Sequence, residues 1–192
     1  MGQLVGMAIA TSASVWPGRP GHDVYVYLFK EGCFLADLYG NGLEVILENV
    51  GSLLISIEKS ISDADATSSE GKVQLSNRSQ VVQTLVEVLS EPLSTSRKLQ
   101  VCNAASSSVL RYMEWLNETR RLDHRNDGNV ELWKELRPLL DGTCLPEPET
   151  LLPEATSEIL PNVVVSYRQG YVALQKSYAA LENFLKSSNT QR

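Results

Sequence analysis

A chain of 192 residues with 43% hydrophobic and 21% charged side chains has the length and apolar content of one domain with a real core, which argues against disorder throughout. Its net charge of −6 argues against a general nucleic-acid binder, which needs clustered Lys and Arg, and gives no help to charge-driven binding of anionic lipid. Cys33, Cys102 and Cys144 lie far apart, without disulfide-framework or zinc spacing, and read as reduced thiols of an intracellular, cytoplasmic protein.

Residues 1–16 are apolar and small. No basic residue precedes the apolar run 4–10, and no stretch approaches the roughly 20 apolar residues of a spanning helix. Gly2, Gly6, Ala10 and Ser14 recur every four positions, and on a helix such a strip permits close contact with another helix. The strip resembles the N-terminal strip of the fungal HeLo-type, membrane-permeabilising helical bundles. The resemblance covers residues 2–16 alone, and Pro17 cuts the helix where that family continues it. It implies contact with a membrane through this segment. The residues themselves leave two readings open, a tightly packed piece of core or an arm that acts on a membrane or partner. Met1-Gly2 does not open a myristoylation signal, because the sixth residue is Gly6.

Pro17 to Gly21 stop regular structure. Residues 24–39 are ambiguous between a short β-hairpin turning at Lys30-Glu31-Gly32 and a helix carrying Tyr27, Leu28, Glu31, Leu35 and Leu38 on one face. The helical neighbours downstream favour the helix. Asn41, with Glu44 three residues on, is placed to cap the next segment. There Leu43, Ile46, Val50, Leu53, Ile57 and Ile61 step by three and four. Residues 62–79 are polar and read as an exposed loop. A third helix carries Val82, Leu85, Val86, Leu89 and Leu93 and is ended or bent by Pro92.

The fourth carries Leu99, Cys102, Ser106, Val109, Met113 and Leu116, with Val101, Ala105, Tyr112 and Trp115 on a second face, so it is expected to be buried on two sides. Val130, Leu132, Trp133, Leu136 and Leu140 make a fifth, with Gly142 placed just beyond its end. Residues 143–161 form an extended, Pro/Glu-rich connection. The longest stripe follows Pro161: Val164, Tyr167, Tyr171, Leu174, Tyr178, Leu181 and Leu185 hold a heptad seam, with Arg168, Gln169, Gln175, Lys176 and Glu182 off it. The expected class is mainly α: one domain, residues 1–192, built as a bundle of about five amphipathic helices.

Chemistry-bearing patterns are sparse. His22, in a Pro/Gly loop beside Asp23, and His124, at a helix end beside Asp123, have no second ligand at metal spacing and read as solvated histidines. Asp63 and Asp65 resemble the opening of a calcium loop but lack its sixth-position Gly and closing Glu. No phosphate-cradling Gly-rich loop, nucleophile elbow or His-Glu-x-x-His helix is present. Asn77 to Ser79 and Asn117 to Thr119 are sequons that matter only in a secreted chain.

Two clusters remain as candidate binding residues. Arg111, Arg120, Arg121 and Arg125, with Tyr112 and Trp115 nearby, read as dipole-matched charges at a helix end, with the aromatics as core, or as a small anionic-ligand or RNA-contacting patch. Tyr167, Tyr171 and Tyr178 put three polar tips on one seam, which suits core, a ligand cavity or a partner surface. The function expected from these patterns is a non-enzymatic helical interaction module. It needs no cofactor and binds a protein partner or a second copy through its heptad seams, without nucleic acid. A small-molecule or lipid carrier, using Tyr167, Tyr171 and Trp115, and a membrane-acting bundle are the alternatives.

Overall fold

The computed structural model describes residues 21–39, 42–64, 67–119, 127–151 and 161–189. The N-terminal strip, Asn41, Asp65, Arg120, Arg121, His124 and Arg125 lie outside the described residues. Among the described residues, the regular elements are seven helices: α1 (His22–Tyr39), α2 (Leu43–Asp63), α3 (Ser69–Ser90), α4 (Thr95–Glu118), α5 (Asp127–Leu140), α6 (Pro148–Leu151) and α7 (Pro161–Asn189). The class is all-α, as expected, with more helices than the five expected. Residues 24–39 are helix and not hairpin. The chain divides into two compact units, Met1–Val88 and Leu89–Arg192, with the boundary inside α3.

In the first unit α1 packs on α2. Its inner face is Tyr25, Val26, Phe29, Cys33 and Ala36, all buried at helical spacing. This is a different face from the one expected through Tyr27, which points outward. The cap of α2 also differs from expectation. Gly42 is the N-cap residue at φ 82°, a left-handed conformation that glycine adopts without Cβ strain. Behind it Leu43, Ile46, Val50, Leu53 and Ile57 are buried along the expected stripe, and Leu47 and Leu54 widen it.

The expected loop over 62–79 is corrected most. α3 starts at Ser69, where the Ser68 hydroxyl accepts the Gly71 N–H at 3.0 Å and satisfies an otherwise orphan donor of the first turn. Its first half is helical without an apolar stripe because its inward residues are polar. Gln74, Asn77 and Arg78 are buried, followed one turn on by Val81, Val82 and Leu85. Arg78 Nη1 donates to Glu58 Oε1 of α2 at 3.3 Å, a pair almost wholly out of water. Asn77 Nδ2 donates to Gln74 Oε1 at 3.4 Å.

In the second unit α4 lies along α7, with α5 and α6 also against α7. Burial on α4 runs through Leu99, Cys102, Ser106, Val109, Met113 and Leu116, and also through Val101, Ala105 and Tyr112, so both expected faces are covered. The two long helices approach closely at Gly170, where a Cβ would stand 2.9 Å from Ser106 Oγ. Gly142 follows α5 at φ 86°, as its place beyond the helix end requires. The connection 143–161 is not wholly extended, since Pro148–Leu151 make one helical turn and Cys144, Leu145 and Pro148 are buried.

Candidate interaction surface

α1 is apolar on more than its inner face. At 100° per residue, Val24, Tyr27 and Phe34 fall on the side away from the buried set, and Asp23, Lys30 and Glu31 share that side. Tyr27 is 62% and Phe34 64% exposed, the highest values for large hydrophobic side chains among the described residues. They stand seven residues apart, roughly 10 Å along the axis. A single exposed apolar side chain is ordinary, but two aromatics aligned on one helix face form a patch of the kind partners cover.

At the start of α1 polar contacts add to the apolar packing of Tyr25 and Val26. His22 Nε2 and Ser56 Oγ of α2 are 2.9 Å apart, and the imidazole also bonds Gln74 of α3. Burial holds the His22 pKa below its ordinary value, against the opposing pull of Asp23 and the Gln74 bond. Ser56 is a mid-helix residue, so the backbone donors around it are engaged in the helix. This hydroxyl and imidazole therefore join elements of the first unit.

The tyrosines of α7 do not converge on one site. Tyr167 is fully buried, and its hydroxyl donates to the Pro146 carbonyl at 2.6 Å. Burial raises its pKa, as do the neighbouring Cys102 and Tyr171. Tyr171 touches it, with ring centroids 6.2 Å apart, and is itself half-buried. Burial also raises the Tyr171 pKa, helped by Glu147 and Glu149. Tyr178 lies roughly 16 Å along the helix from Tyr167 and stacks on Trp133 of α5 at 5.5 Å. Leu174 is buried between these levels, so the centre of the seam turns inward. Gln175, expected to face water, is half-buried and donates to the Leu140 carbonyl at 3.0 Å.

Trp115 is half-buried and Arg111 exposed, both on α4. Their expected companions Arg120 and Arg121 lie outside the described residues. The three thiols are buried and unpaired with one another. Burial pushes Cys33 up to about 12 and Cys102 up to about 11, and it raises Cys144, so none is poised as a nucleophile. Among the described residues no group of three or more His, Cys, Asp or Glu side chains is placed to hold a metal ion, and no helix is long and apolar enough to cross a membrane.

Sequence reasoning missed Phe34 and put Tyr27 on the inward face. The available signal was a helix apolar on two sides, with the aromatics seven residues apart. No family model, curated protein or solved structure matches this chain.

Proposed function

We propose that this protein is a helical interaction module whose docking surface is the outer face of α1. The observation that carries the reading is the alignment of Tyr27 and Phe34, both more than three-fifths exposed, on a helix whose opposite face is fully packed. Aromatic side chains bring large apolar area with few rotors, and they dominate the energetics of many interfaces. The centre of the α7 seam, by contrast, serves the interior of its own unit.

Site-specific photo-crosslinking tests the reading. A benzophenone amino acid replaces Tyr27 or Phe34 in the full chain, and Gln83, exposed on α3, serves as the control position. The expected result, in cells of origin, is a discrete adduct from positions 27 and 34 and none from 83. Equal smears from all three positions, or no adduct from any, would remove the proposal.

A further inference from the structure

The charge of the chain is not spread evenly. Residues 1–88 hold 5 Lys and Arg against 10 Asp and Glu, a net −5, while residues 89–192 hold 12 against 13. The first unit therefore carries nearly all of the chain's −6 and also carries the exposed aromatic pair. Its exposed described charges are Asp23, Glu48, Asp63, Glu70 and Glu87 against Lys30, Lys59 and Lys72, with Glu31 and Glu44 half-exposed. On α1 itself, Asp23 and Glu31 flank Tyr27, with Lys30 the one described base on that side. Arg78 is buried against Glu58 and adds nothing to the surface.

Resting on the reading of α1 as a docking surface, we infer that its occupant is an amphipathic helix of another protein with Lys or Arg flanking its apolar stripe. The geometry of the patch selects a helix. Two aromatics two turns apart match apolar residues at i and i+7 of a helix laid alongside. The flanking carboxylates select the charge, because acidic side chains at the rim repel an acidic partner and speed encounter with a basic one. The same acidic field disfavours an anionic lipid surface.

The test uses the full chain and two synthetic helical peptides with Leu at heptad a and d positions, one with Lys and one with Glu at the flanking positions. Fluorescence anisotropy is expected to show the Lys peptide binding at least about 10-fold more tightly than the Glu peptide, with the preference shrinking as salt rises. Tyr27→Ser with Phe34→Ser is expected to weaken Lys-peptide binding about 30-fold or more, the effect of losing a hot spot. Val165→Ser with Val172→Ser, two exposed residues of α7, is expected to change nothing.

Equal binding of both peptides, or binding indifferent to the α1 substitutions, would overturn the inference. So would binding to phosphatidylserine-containing vesicles lost on the α1 substitutions, which assigns the face to a membrane. A dimer of the chain alone that Phe34→Ser dissolves would also overturn it, giving the face to a second copy. Adducts from positions 27 and 34 without Lys-peptide binding would leave the module standing and the basic partner refuted.

Discussion

The pairing of Arg78 with Glu58 makes a sharp claim about what holds the first unit together. Their side chains are 6% and 4% exposed, and the guanidinium and carboxylate meet at 3.3 Å between α3 and α2. Taking both charges out of water costs several kcal/mol each, which their mutual attraction offsets when the geometry is satisfied. Removing one partner leaves the desolvation cost of the other without that attraction. Arg78→Met is therefore expected to destabilise the protein by about 3–5 kcal/mol, a large share of the ~5–15 kcal/mol that keeps a typical domain folded. Glu58→Leu is expected to cost a similar amount. The double substitution replaces the pair with apolar groups, and its expected cost is well below the sum of the two single costs. Urea unfolding followed by far-UV circular dichroism supplies the four corners of the cycle. A double variant as unstable as the sum of the singles would refute the reasoning, as would a single variant within about 0.5 kcal/mol of the parent, the range of ordinary surface changes.

Other substitutions check other parts of the fold. Leu174→Asp buries a charge at the centre of the α7 seam and is expected to cost several kcal/mol, whereas Lys176→Asp, exposed two residues on, should stay within about 0.5 kcal/mol by the same denaturant measurement. Tyr167→Phe removes the hydroxyl that serves the Pro146 carbonyl and is expected to cost about 1–2 kcal/mol, read as a lowered thermal midpoint. The His22 pKa is depressed in the folded state, so the fold favours the neutral imidazole. Its contribution is fully present above the unfolded value near 6.5 and is lost as pH falls from there toward the folded value. Between pH 7.5 and pH 5 the parent should therefore lose more stability than His22→Gln, and equal losses would contradict the burial of this imidazole.

The helices built on apolar stripes were legible in the sequence. The α4 stripe is buried throughout, that of α2 from Leu43 to Ile57, and that of α7 at Tyr167 and Leu174, with Ile61, Val164, Tyr171 and Tyr178 half-buried; Pro92 and Gly142 mark ends where their backbones require. The first half of α3 was not legible, because its inward residues Gln74, Asn77 and Arg78 are polar. Their burial depends on Glu58 and His22, which no local pattern ties to them. Ser68 was the one local signal, a capping hydroxyl ahead of an otherwise loop-like run. For α1 the type of element was legible, but the orientation was not. Apolar residues surround most of the helix, and only packing on α2 decides that Phe29 and Cys33 go in while Tyr27 and Phe34 stay out. The seam tyrosines were legible as a group, yet their partners Pro146 and Trp133 come from segments brought near by the fold.

The outer face of α1 is tested most directly by one variant measured in two ways. Phe34→Ser is introduced into the full chain carrying a benzophenone amino acid at position 27, and both the thermal midpoint and the crosslinked adduct are recorded. Because Phe34 is 64% exposed, its replacement is expected to change stability by no more than about 0.5 kcal/mol, as surface changes do, and so to leave the midpoint nearly unmoved, while the adduct disappears. A midpoint that falls as far as for a core substitution, or an adduct that persists unchanged, would contradict the assignment of this face to a partner.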